Sequence, residues 1–163
     1  MKNIIILFLM FSAIVFAEWE YSMLPNKYGA NFHRFTVFDY KINSRLTVNV
    51  SLVSSGGHAG VKIYHDNVKE SNNLSLNIMD NSGDSMNYTI FSKDIENGYI
   101  AVENPDGFDR GMSLIKLLLS SQNVELYDND TDKILSTFNT KGLKEILEKK
   151  VGNSYWYKYK LND

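Results

Sequence analysis

Arg45-Leu46-Thr47-Val48-Asn49-Val50-Ser51-Leu52-Val53 alternates apolar and polar residues with hardly a break. Leu46, Val48, Val50 and Leu52 fall on one side of an extended chain. Arg45, Thr47, Asn49 and Ser51 fall on the other, which is the pattern of a half-buried antiparallel strand. Asn73 to Asp80 repeats it, with Leu74, Leu76 and Ile78 inward. Phe32–Tyr40, Val61–Asp66, Asn87–Lys93 and Tyr99–Glu103 are less regular versions. Between Val37 and Phe38 the apolar phase slips by one residue, which predicts a β-bulge. Asn81-Ser82-Gly83-Asp84, Glu96-Asn97-Gly98 and Asn104-Pro105-Asp106-Gly107 supply the residues that tolerate or preset turn geometry. Short strands spaced by such turns predict a mainly β chain, an antiparallel β-sandwich or barrel-like sheet.

The C-terminal third changes character. Ser113 to Ser121 reads as a short, largely buried helix with Ser113 as its N-cap. Val124–Tyr127 and Ile134–Phe138 flank an acidic hairpin tip, Asp128 to Asp132. Thr140 caps a second helix over Gly142 to Val151, in which Leu143, Ile146, Leu147 and Val151 recur at helical spacing. Tyr155, Tyr157, Tyr159 and Leu161 then alternate with Trp156, Lys158 and Lys160, which predicts a closing strand.

The order of helix, strand pair and Phe138-Asn139-Thr140-Lys141-Gly142-Leu143 helix start, over roughly residues 108 to 150, resembles the end of exported β-sandwich proteins of the invasion-associated locus B type. That resemblance implies a periplasmic or secreted, non-catalytic sandwich. It carries over no site residues, and the cysteines usual in that family are missing here.

The first seventeen residues set the expected location. Met1-Lys2-Asn3 is a short positive start, Ile4 to Phe16 is almost unbroken apolar sequence, and Ala17 ends a small-residue exit before Glu18-Trp19-Glu20. These are the three regions of a secretory signal peptide. As a helix the segment would span about 21 Å, short of the ~30 Å membrane core. Residues 1–17 are expected to be removed, leaving residues 18–163 as a single β-rich domain that is periplasmic or secreted, with no stable membrane insertion. The absence of cysteine excludes disulfides, thiolate chemistry and a lipoprotein anchor. A formal net charge of −2 with both signs scattered lacks the basic stripe of a nucleic-acid binder.

Candidate sites are each matched by a plainer explanation. Asp128, Asp130 and Asp132 resemble the opening of a calcium loop, but Lys133 stands where glycine is needed and Asn139 where a bidentate glutamate belongs. A solvated hairpin tip accounts for them, and neither a metal nor another cofactor is expected. His33 and His65 could face each other across a sheet beside Asp66, as a zinc site would require. Ser54 to Gly60 places His58 near serines in a glycine-rich stretch that reads as a mobile turn. Asp39, Asp66, Asp80, Asp84, Asp94, Asp106 and Asp109 offer carboxylates without naming a pair. The closing strand sets Trp156 among lysines, so Trp156, Lys158 and Lys160 form the expected binding surface. The leading expectation is a non-catalytic module that binds a protein or an envelope macromolecule. A small carboxylate-dependent hydrolase and an enzyme inhibitor presenting Ser54–Gly60 are the alternatives.

Overall fold

The computed structural model describes residues 19–25, 31–53, 56–103 and 110–161. The expected signal peptide, the Ser54-Ser55 turn and the Asn104–Asp109 segment lie outside the described residues. Among the described residues, ten strands form two antiparallel sheets. The larger has the order β1-β2-β3-β4-β8-β7 and the smaller β10-β9-β5-β6, and the sheets are not closed into a barrel. In chain order the strands are β1 (Glu20–Pro25), β2 (Asn31–Asp39), β3 (Ser44–Val53), β4 (Gly56–Tyr64), β5 (Leu74–Asp80) and β6 (Ser85–Thr89). They continue with β7 (Ile95–Glu96), β8 (Tyr99–Val102), β9 (Ser121–Asp128) and β10 (Lys133–Asn139). Helix α1 (Arg110–Ser120) precedes β9 and α2 (Leu143–Val151) follows β10.

The alternation in β3 is obeyed where it matters most. Leu46, Val48 and Val50 pair with Val37, Phe35 and His33 on β2 and with Ile63, Val61 and Ala59 on β4, so one face of three adjacent strands is apolar except at His33. Leu74, Leu76 and Ile78 on β5, Val124 and Leu126 on β9 and Phe138 on β10 join them in one buried cluster. Each fully buried side chain of this size contributes about 1.5–3 kcal/mol. The ends of the sheets are also fastened by polar bonds. The Asp39 carboxylate accepts from Ser136 Oγ (3.2 Å) and the Thr137 amide (3.1 Å), and His65 Nε2 donates to the Leu135 carbonyl (3.1 Å).

Several expectations need correction. No bulge interrupts β2 at Val37–Phe38, where the register with β3 is continuous from Asn31 to Asp39. Phe38 instead turns outward and stacks on Tyr40, with ring centroids 5.3 Å apart. The irregularities lie between Ile134 and Ser136 and between Met79 and Asp80. Gly56 to Gly60 is no mobile turn but the start of β4, paired through Val53 to Asn49. Ladder bonds use backbone groups, so glycine can occupy them, and here its smallness is used. A Cβ on Gly111 of α1 would lie 2.3 Å from the Ala59 carbonyl oxygen, so the helix docks on β4 only because that atom is missing. Helix α1 accordingly begins at Arg110 rather than at Ser113.

The closing segment is not a strand. Residues 155–156 are helical and Tyr157–Leu161 continues as a π-helix. Ser154 starts it, its carbonyl accepting from the Lys158 amide (3.2 Å) and its hydroxyl from the Tyr157 amide (3.2 Å). Trp156, just before this turn, and Leu161, at its end, are both buried.

Candidate functional site

The side of the large sheet turned away from the core is the most developed surface among the described residues. It carries Arg34, Thr36 and Phe38 of β2, Arg45, Thr47, Asn49 and Ser51 of β3, and His58, Gly60, Lys62 and Tyr64 of β4, matched rung by rung. Alternation places Thr47 and Asn49 toward solvent, yet they are 2 % and 7 % exposed. β3 lies mid-sheet, and longer side chains on β2 and β4 stand above its short ones. Thr47 Oγ1 donates to the Lys62 carbonyl (3.2 Å), and Asn49 Nδ2 to Thr47 Oγ1 (3.4 Å). The result is a polar floor with a high rim.

Two depressions open onto that floor, one toward each end of β3. One, of about 230 Å³, is lined by Thr36, Thr47 and Ser22 below and by Glu20, Arg34, Arg45, Phe38 and Tyr64 around it. The other, of about 220 Å³, is lined chiefly by Phe32, Asn49, Ser51, His58, Gly60 and Glu103. From Arg45 to Ser51 the floor runs about 20 Å at ~3.3 Å per residue.

The charges on this face are unevenly satisfied. Lys62 Nζ pairs with Glu103 Oε1 at 2.9 Å, a surface contact worth at most about 1 kcal/mol. The Arg45 guanidinium lies over the Tyr64 ring at 4.2 Å. Arg34 Nε donates to Asn49 Oδ1 at 3.4 Å. Among the described residues, neither Arg34 nor Arg45 pairs with a carboxylate; the ion pairs found there are Lys62–Glu103 and Arg110–Asp94.

Ser51 and His58 are cross-strand partners, and Glu103 shares their depression. These are the residue types of an acyl-transfer triad, but the bonds that orient one are missing: none joins Ser51 to His58, and Glu103 is held by Lys62.

The residues singled out from sequence lie elsewhere. Trp156 is 0 % exposed, whereas Lys158 and Lys160 are exposed on the closing helix, so the three do not share one surface. Where strand alternation would have turned Trp156 outward, a helical turn carries it into the core. His33 and His65 do not face each other. His33 sits on the same rung as Ala59 through Val50, and His65 follows the far end of β4, about 20 Å away along the strands. His33 Nδ1 bonds the Tyr21 hydroxyl (3.0 Å), and His65 Nδ1 accepts from the Asn67 amide (3.1 Å).

Several of the candidate carboxylates already have partners. Asp128 Oδ1 accepts from the Asp130 amide (3.0 Å), Asp130 Oδ2 from the Asn73 amide (3.1 Å), and Asp132 from the Tyr127 hydroxyl. Asp80 receives the Ser82 amide and hydroxyl and the Asp84 amide, which hold its carboxyl below the usual range. Asp94 is buried against Arg110. Among the described residues no group of three or more His, Cys, Asp or Glu side chains could hold a metal ion, and no helix is long and apolar enough to cross a membrane. Asp106 and Asp109 lie outside the described residues.

The polar half of the β3 alternation was a signal for this face, but its neighbours on β1, β2, β4 and β8 become visible only through the register. Comparison of the chain with protein-family models, curated proteins and solved structures finds no match.

Proposed function

We propose that the protein is an exported, non-catalytic β-sandwich module that binds a macromolecule in the periplasm or outside the cell. The binding surface is the outer face of the large sheet. The observation that carries this reading is the pair of depressions along β3, floored by buried Thr36, Thr47 and Asn49 and rimmed by arginine and aromatic side chains. A sheet face whose only task is to meet water needs no such sunken polar floor. Arginine and aromatic rims are also the side chains on which binding energy concentrates. The Met1–Ala17 leader supports the location. This surface replaces the one built on Trp156, because a fully buried indole presents nothing to a partner.

Charge reversal tests the reading. Immobilised protein is challenged with an envelope and culture-medium extract, and retention is compared between wild type, an Arg45→Glu/Lys62→Glu variant and a Lys158→Glu/Lys160→Glu variant. Retention is expected to be lost in the first variant and kept in the second. Equal retention by all three, or loss only in the second, rejects the sheet face. Mass analysis of the protein recovered from its native cells checks the export step: the expected product lacks residues 1–17.

A further inference from the structure

We infer that the partner of this face is an anionic polysaccharide, whose carboxylate or sulfate group is taken between Arg34 and Arg45. This inference rests on the reading of the outer sheet face as the binding surface. Its first support is charge. Arg34 and Arg45 border one depression of about 230 Å³, and among the described residues neither is neutralised by a carboxylate. Arg34 uses Nε toward Asn49, and Arg45 lies over Tyr64, so the outer guanidinium N–H groups remain as donors. A planar fork of donors suits an oxyanion held by two bonds at once. Glu20 lies on the same lining. It leaves the depression with one net positive charge and supplies an acceptor for a ligand hydroxyl.

The second support is the kind of polar group on offer. β3 is paired on both sides along its length, β2 over Asn31–Thr36 and β4 over Val61–Tyr64, so around Arg34 and Arg45 most backbone N–H and C=O groups are spent in the ladder. A peptide recognised by strand addition needs an open sheet edge, which the stretch around Arg34 and Arg45 does not provide. What the face offers instead is the hydroxyls of Ser22 and Ser51, because Thr47 and Asn49 are buried and already bonded to each other, to the Lys62 carbonyl and to Arg34. A sugar chain matches these, because each of its hydroxyls both donates and accepts.

The third support is extent. The floor from Arg45 to Ser51 runs about 20 Å, longer than a single small ligand requires. Beyond the arginines it continues into the second depression, where Glu103 is already paired with Lys62. The anionic group is thus taken at one end, and the uncharged hydroxyls of the chain lie along the other.

Calorimetric titration of the full-length protein with four probes tests this. The probes are a uronate oligosaccharide, a sulfated oligosaccharide, a neutral oligosaccharide of equal length and a glutamate oligopeptide. At least one acidic oligosaccharide is expected to bind, and whichever does identifies the anionic group. Arg34→Gln and Arg45→Gln should each weaken that binding by about tenfold or more, the loss of a charge-assisted bond. Added salt should weaken it too. Lys158→Gln/Lys160→Gln should leave it unchanged, and all variants should keep the wild-type near-ultraviolet circular dichroism. Equal binding of the neutral oligosaccharide, stronger binding of the peptide, or indifference to both arginine substitutions overturns the inference. If no oligosaccharide binds while the Arg45→Glu/Lys62→Glu variant still loses its retained partner, the polysaccharide is rejected and the face survives. If both measurements are silent, both fall.

Discussion

Trp156 shows how one residue can be misplaced by a correct local pattern. Tyr and Lys alternate around it, and alternation assigns it to the outer side of a strand. The structure buries it completely, and its indole N–H, like that of Trp19, has no hydrogen-bond partner among the described residues. An unpaired buried donor costs about 1–3 kcal/mol, so the ring must be held by its apolar contacts. Trp156→Ala is therefore expected to cost about 3–5 kcal/mol, against less than about 0.5 for the exposed Tyr159→Ala, measured by urea unfolding. Equal midpoints for the two variants would contradict the burial of the ring. The sequence could not reveal this, because nothing local distinguishes an indole that covers a surface from one that fills a core.

Elements with a long regular period were legible, while those defined by a docking partner were not. β3 and β5 stand close to their expected bounds because strict alternation has one low-energy solution when one face is buried. β1 is not legible in the sequence, since its six residues show little alternation before Pro25. The start of α1 was misplaced because Gly111 reads as a break, whereas its missing side chain is what admits the helix to β4. The same helix start carries Arg110, whose two terminal nitrogens reach the Asp94 carboxylate at 3.0 and 2.6 Å, tying α1 to the short helical turn over Ser92–Asp94. The side chains are 18 % and 6 % exposed, so the pair is largely withdrawn from water. Asp94→Asn leaves the guanidinium without its counter-charge and is expected to cost about 3–5 kcal/mol. An Asp94→Leu/Arg110→Met double variant, which removes both charges, should recover most of that loss in denaturant titrations. If the single and double variants unfold alike, the pair is not what fastens the helix start.

For the whole molecule, stability should depend on pH through His33. The imidazole is buried on the inner face of β2, and burial lowers its pKa below the ordinary 6.5. The unfolded chain thus takes up this proton at a higher pH than the folded one. Stability present above pH 6.5 is lost as the pH falls toward the lowered folded value. Asp80 acts in a separate, more acidic window, because its carboxyl is lowered from 3.8. Urea midpoints of the wild type should decline between about pH 7 and 5, and His33→Gln should flatten that decline. Parallel profiles would remove His33 as its source. By itself the sequence determined that the chain is β-rich, which residues of β3 and β5 point inward, and the turns at Asn81–Asp84, Asn97-Gly98 and Asp128–Asp132, because backbone period and turn chemistry are local properties. Only the tertiary structure decided which strands are neighbours, that Arg34 and Arg45 border one depression over a sunken polar floor, and that the last turn enters the core. Those features arise from pairing between distant segments, where register and competition for burial choose among arrangements that local pattern leaves equal.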